Sequence, residues 1–327
     1  MKKNIRWAIL LVAALSLAAG CTNSANTDTA KAADKGFPVS VSGKLGTATI
    51  THRPKRVVAL SWTDADIALS LGVTPIAMQK IPVVAGGVEP WTKQWLKGAT
   101  PTLLDTSKGD PIDKIVALKP DLILATKDYA LQQSYPQLSK FAPVVSYVNG
   151  PNLDTWQDAT RTIAKALGVP DRASGVISKT ESQISQTKAA HPELNGKTYT
   201  FLISPNDSGI WAINTTKDVS AQFMASLGLS LTPTVTKMPT SSTPGRAFIS
   251  FENLDKADAD IIILTGPPGT PAKMKAIPGF RHLKAITKNA YVPLDLVPAE
   301  AIGFPSAPSL DWALKNLIPD LSQAAKR

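Results

Sequence analysis

Few residues in this chain are equipped for chemistry, and they are scattered. Among 327 residues there is one cysteine, Cys21, and there are three histidines, His52, His191 and His282. A lone thiol can neither close an intramolecular disulfide nor supply a thiolate metal site. The histidines fall in a basic hairpin exit, at the end of a polar helical stretch and in a basic loop. They have neither metal-ligand spacing nor a nucleophile elbow nearby. GPPGTP, residues 266–271, lacks the Lys-Ser/Thr of a P-loop. A surface hydrolase or metal-dependent lyase is therefore a poor reading. So is a binder of free metal ions, which would want clustered histidines and carboxylates. No catalytic residue, metal ligand or resident cofactor is expected.

Two acids draw notice by their spacing. Asp113 is followed eight residues later by Asp121 and then by the apolar run Leu122–Ala125. Glu252 is followed at the same offset by Asp260 and the run Ile261–Leu264. IALSLGV, from Ile67, and FMASLGL, from Phe223, make a second matched pair. An acid at a helix N-terminus gains a few tenths to about 1 kcal/mol from the macrodipole, which would account for either acid alone. The shared offset points to a duplicated α/β lobe.

The elements around these residues fit that reading. FPVSVSGKLGTATI, from Phe37, alternates and turns at Ser42-Gly43-Lys44, as an opening hairpin does. Val57–Leu60 reads as a strand, Thr63 as the cap of a helix stopped by Gly72, and Val73–Met78 as the next strand. Such strand-helix-strand units imply a parallel sheet with helices on its faces. Trp91 and Trp95 sit four apart on a helix, a packing pattern. Asp171–His191 is a long polar helical stretch with a thin apolar stripe at Val176, Ile177 and Ile184, as a strut would have. After it the pattern restarts with KTYTFLIS. The reading is an α/β fold of two similar lobes with a ligand cleft between them, joined by one long helix. The N-terminal lobe spans 37–168, the connecting helix 169–194 and the C-terminal lobe 195–327.

Ahead of the lobes, Lys2, Lys3 and Arg6 precede an uncharged apolar run, Trp7–Ala19, and small residues lead into Cys21. Residues 1–20 have the layout of an export signal, too short for an ordinary membrane span. Residues 21–36 read as a flexible tether. Removing the signal lowers the formal charge from +10 by three, to +7. That suits an anionic ligand or membrane surface. The basic residues form no run, so nucleic acid is not an expected partner.

The small residues before Cys21 resemble the lipobox of bacterial lipoproteins, which implies that the thiol carries lipid and that Cys21 becomes the anchored N-terminus. Together with RPKRVVAL, ALKPDLIL, the mid-chain helix and ISFENLDKADADIIIL, this resembles the helical-backbone class of ABC-transporter substrate-binding lipoproteins. Within it, GTATI, LSWTDADIALSLGV and AIGFPSAPSLDWALKNL look most like the iron-siderophore binders. Haem and cobalamin binders share the fold and stand as the alternative. The resemblance implies capture of a ferric siderophore, delivery to a dimeric ABC permease, a location on the outer face of the cytoplasmic membrane or in the periplasm, and a monomer. By position it makes Asp113 and Glu252 the permease-docking acids, with Asp113 one methylene shorter than the glutamate usual there. A siderophore already saturates its iron, so the protein would supply aromatic walls and cationic donors. The candidates lie near strand ends: Trp62, Lys127 and Tyr129, Trp211 in the loop SPNDSGIWAIN, Arg246 in the loop leading to Glu252, and Phe304 before the last helix.

Overall fold

The computed structural model describes residues 36–327. The expected signal, Cys21 and all but the last residue of the expected tether lie outside the described residues. The opening hairpin, β1 (Val39–Gly43) and β2 (Gly46–Ile50), pairs Val39 with Ile50 and Gly43 with Gly46. It buries Val41, Ala48 and Ile50, the inward members of its alternation.

The first sheet holds β3 (Val57–Ala59), β4 (Ala77–Gln79), β5 (Thr102–Leu104), β6 (Leu122–Ala125) and β7 (Val144–Ser146). All its strands are parallel, in the order β5-β4-β3-β6-β7. The connections run outward in opposite directions from β3 and β6, which makes their carboxyl ends the switch point where such sheets bind ligands. Its helices are α1 (Trp62–Ser70), α2 (Pro90–Leu96), α3 (Ile112–Ala117), α4 (Leu131–Leu138) and α5 (Trp156–Ala166). The cap of α1 is Ser61 rather than Thr63, because the Ser61 hydroxyl accepts from the Asp64 N–H. The strut is α6 (Pro170–Ala190), buried along Ala173, Ile177, Thr180 and Ile184.

The second sheet holds β8 (Thr198–Ile203), β9 (Gly209–Ile213), β10 (Ser230–Leu231), β11 (Arg246–Ser250), β12 (Ile261–Thr265) and β13 (Tyr291–Leu294). Its order is β11-β9-β8-β12-β13, with β10 on the start of β8. Unlike the first sheet it is mixed, since β9 runs antiparallel to both β8 and β11. The helices here are α7 (Val219–Ser226), α8 (Pro233–Thr236), α9 (Thr270–Ala276), α10 (Pro278–Arg281), α11 (Lys284–Thr287), α12 (Leu296–Gly303), α13 (Ala307–Asn316) and α14 (Ile318–Ala325).

Beneath that difference the duplication is structural. β8, β10, β12 and β13 occupy the places of β3, β4, β6 and β7. IALSLGV ends α1 before β4, and FMASLGL ends α7 before β10. Gly72 (φ 80°) and Gly228 (φ 95°) each turn the chain out of the helix through the left-handed region. The register repeats as well: Val57 pairs with Leu122, and Tyr199 with Ile261. One residue earlier, the Asp121 carboxylate accepts the Lys55 and Arg56 N–H groups at 2.8 Å. Asp260 likewise accepts the N–H and hydroxyl of Thr198 at 2.8 Å. Each acid pins the start of the neighbouring strand, where a backbone donor would otherwise lack a ladder partner.

One apolar cluster runs between the sheets. It joins Val57, Leu122 and Leu124 to Phe201, Ile261 and Ile263 through Ile67 of α1, Ile163 of α5, Ile177 and Ile184 of α6 and Leu310 of α13. The other faces hold clusters of their own, with Val58 and Ile123 in one and Ile262 and Leu264 in the other. That alternation is the period-two signature of a sheet buried on both faces. A wide hinge opening would have to expose the shared cluster.

Candidate functional site

At the switch point of the first sheet, two loops carry the expected residues. After β3 the chain enters α1 at Trp62, and after β6 it runs through Lys127, Asp128 and Tyr129. Asp64, fully buried, ties these loops together. Its carboxylate accepts from the Ser61 hydroxyl at 2.6 Å, from the Thr126 N–H at 3.0 Å and from the Thr126 hydroxyl at 2.5 Å. Burial pushes the Asp64 carboxyl up from its ordinary range, opposed by those bonds and by Lys127.

Three aromatic rings meet above the loops. Trp62 and Tyr129 stand edge to face with Phe304, with ring centroids 5.1 and 6.2 Å apart. Phe304 ends α12, far along the chain, yet it packs on the first lobe. The Ser306 hydroxyl donates to Asp66 at 2.8 Å, and α13 packs against α1, α2 and α6. Trp62, Gln79, Thr106, Lys127, Asp128, Tyr129 and Phe304 line a cavity of about 170 Å³. The Trp62 indole Nε1 and Asp128 Oδ2 are buried there without a hydrogen-bond partner.

Lys127 corrects an expectation. It is 5 % exposed, and its ammonium donates to the backbone carbonyl of Asp154. Burial pulls its pKa down, against the pull of Asp154, Asp64 and Asp158. It braces the wall and is not an open donor. Asp128, absent from the expected set, faces the cavity. Burial, reinforced by Asp110, pushes its carboxyl up to about 8. Asp110 Oδ1 also lacks a partner.

The second sheet contributes a smaller wall. Trp211 and Arg246 lie on strands, not in loops as expected: the polar turn ends at Gly209, and β9 and β11 pair Trp211 with Phe248. Those two rings sit 5.2 Å apart. Ile203, Ser204, Trp211, Thr243 and Arg246 line a hollow of about 260 Å³. Arg246 is ion-paired with Asp218 at 2.8 Å. Asp218 also caps α7, accepting the Ser220 N–H at 2.9 Å. Tyr129 of the first wall lies within electrostatic reach of the Arg246–Asp218 pair. Its hydroxyl is pushed up to about 12, first by desolvation; Asp218 raises it further, while Arg246 and a hydrogen bond with Asn152 oppose the shift. The structure therefore brings Trp62, Lys127, Tyr129 and Phe304 together on one side and Trp211 with Arg246 on the other.

Behind the first wall lies a second buried acidic group. Asp66 accepts from the Trp91 indole at 2.9 Å, the Thr92 hydroxyl at 2.6 Å and Ser306. Burial drives Asp66 up to about 6, Glu89 to about 9 and Glu300 to about 7. Trp91 is fully buried, as its helical spacing suggested, and Trp95 is half-buried. The histidines take no part in the cleft: His191 pairs with Glu193, His52 contacts Thr51, and His282 ends α10. Among the described residues no three His, Cys, Asp or Glu side chains are arranged to hold a metal ion. Asp113 and Glu252 are exposed in the first turn of α3 and of a 3-10 segment, Phe251–Ala257. Neither carboxylate has an ion-pair or hydrogen-bond partner among the described residues.

The fold and the sequence have known counterparts. A family described as periplasmic binding protein matches residues 57–295. The putative ABC transporter substrate-binding lipoprotein YhfQ of Bacillus subtilis is 29% identical over 279 residues, covering 81% of this chain and 80% of that one. The Fe(3+)-citrate-binding protein YfmC of the same organism is 27% identical over 292 residues, covering 87% and 86%. The crystal structure of PiaA from Streptococcus pneumoniae TIGR4 in complex with ferrichrome superposes with a TM-score of 0.77 at 28% identity, over 88% of this chain and 99% of that one.

Proposed function

The chain belongs to the periplasmic binding protein family, and from that premise we propose that it captures a ferric siderophore outside the cytoplasm and hands it to an ABC importer. The observation that carries the reading is a pair of aromatic hollows, one lined by Trp62, Tyr129 and Phe304 and the other by Trp211 and Arg246, with Tyr129 within electrostatic reach of Arg246. Aromatic faces with a few polar groups suit a bulky chelate whose metal already has all its ligands. The relative named for ferric citrate and the structure with ferrichrome support iron chelates over other cargo.

In this reading the protein performs no reaction and needs no resident cofactor. Its residues bind, orient and release. Asp113 and Glu252 dock the two permease subunits, which their exposure and lack of partners support. Cys21 carries the lipid that holds a monomer at the outer face of the cytoplasmic membrane. Cys21→Ser should leave the fold intact and free the protein from membranes; a variant still acylated would contradict the anchor.

Binding is tested by quenching of tryptophan fluorescence, titrated with ferric siderophores, haem and cobalamin. Trp62 and Trp211 line the cleft, so saturable quenching by a ferric siderophore is expected. Quenching by haem or cobalamin alone would overturn the siderophore reading.

A further inference from the structure

The charges of the cleft go further than its shape. Among the residues lining its two hollows, only Lys127 and Arg246 are cationic. Both are engaged: Lys127 with the Asp154 carbonyl behind the wall, and Arg246 with Asp218 at 2.8 Å. Turning Arg246 to a ligand would strand a carboxylate whose side chain is 6% exposed. Asp218 would keep its bonds from Ser220 but lose its counter-charge, which is strongly unfavourable for a buried carboxylate. On the acidic side, Asp128 lines the same hollow as Lys127 and brings no positive charge. Asp64, behind the loops, adds no positive charge. Neither cation of the walls is left uncommitted for an anionic ligand. The walls offer rings and uncharged polar groups such as Gln79 and Thr106.

Resting on the siderophore reading above, we infer that this cleft selects ferric complexes without net charge, a trihydroxamate chelate being the class that fits. Three monoanionic hydroxamates cancel the charge of Fe(III), whereas three dianionic catecholates leave a trianion. A trianion drawn into this cleft would lose water without gaining a counter-charge. A neutral chelate gives its apolar rim to the rings and its carbonyl oxygens to the uncharged polar groups.

The test uses the full chain, with ferrichrome as the neutral probe and the ferric complex of a hexadentate tricatecholate as the trianionic one. Ferrichrome should bind at least about a hundredfold more tightly, and its affinity should change less than about threefold between 50 and 500 mM NaCl, because no net charge is screened. Asp218→Asn frees the Arg246 charge and should narrow the preference by about tenfold. If that variant does not fold, the wild-type comparison decides alone. Tighter binding of the tricatecholate, or ferrichrome affinity that collapses with salt, would overturn the charge inference and leave the siderophore reading standing. If no ferric complex binds, both fall.

Discussion

Asp64 is the residue on which the first wall depends. Asp64→Ala removes three accepted hydrogen bonds, from the Ser61 hydroxyl and from the N–H and hydroxyl of Thr126. The cap of α1 survives, because it uses the residue's backbone N–H and the Ser61 oxygen. At about 1 kcal/mol net for each bond the loss is about 3 kcal/mol. Relief of burying a carboxylate, which the raised pKa reflects, brings the expected cost to about 2 kcal/mol. For a chain of this size that lowers Tm by about 4–5 °C. The functional effect should be larger than the stability effect suggests. Asp64 is the link between the loop bearing Trp62 and the loop bearing Tyr129, so siderophore affinity should fall by about tenfold or more even well below Tm. Asp64→Asn keeps the volume and one acceptor oxygen and should lie between. Thermal melts with paired fluorescence titrations provide the assay. If Asp64→Ala melts and binds like the wild type, the two loops are positioned independently and the reasoning fails.

Three further outcomes follow from packing, burial and exposure. At Gly209 an added Cβ would sit 2.3 Å from the Ile249 carbonyl oxygen and 2.6 Å from the Phe248 ring. Gly209→Ala should therefore cost about 1–3 kcal/mol in urea unfolding, whereas Gly175→Ala, in open space on α6, should stabilise by about 0.5–1 kcal/mol; the reverse order would contradict the packing. Asp66, Glu300, Asp128 and Glu89 have carboxyls raised to about 6, 7, 8 and 9, so between pH 5 and 9 the folded chain holds protons that the unfolded chain has released. Stability of the ligand-free protein should then fall as pH rises through that window, and a Tm that is flat or rises from pH 5 to 9 would show that these acids are not buried together. The Asp113→Lys, Glu252→Lys double variant should bind ferric siderophore as the wild type does and fail to support iron-limited growth, since a lysine facing a basic pocket adds repulsion to lost attraction; normal uptake would reduce the pair to ordinary helix starts.

Much of the frame was legible in the sequence. The strands β3, β6 and β12 are short, largely apolar runs, and β8, TYTFLI, is rich in β-branched and aromatic residues, as strands are. The eight-residue offset of the acids held because it ends at Asp121 and Asp260, which do the same job at the same register. Legibility failed where a neighbour far along the chain decides. Trp211 and Arg246 follow polar, proline- and glycine-rich stretches and read as loops; the pairing of β9 with β8 and β11 makes them strands. A lysine's sequence position shows its charge but not its direction, so Lys127 read as a donor to ligand, although the Asp154 carbonyl takes it. The acids of TDADI looked like a polar helix start. Two residues apart, Asp64 and Asp66 point to different sides of α1, one to Thr126 and the other to Trp91 and Ser306, and both are buried by segments the local sequence does not contain.

The central claim, that iron in its chelate is held between the two walls, is tested most directly by anomalous scattering at the iron edge from crystals grown with a ferric siderophore. The account predicts one iron peak in the cleft, between Trp62, Tyr129 and Phe304 on one side and Trp211 and Arg246 on the other, with chelator oxygens and no protein side chain as its ligands. A peak outside the cleft, or iron bound directly by protein carboxylates, would contradict it.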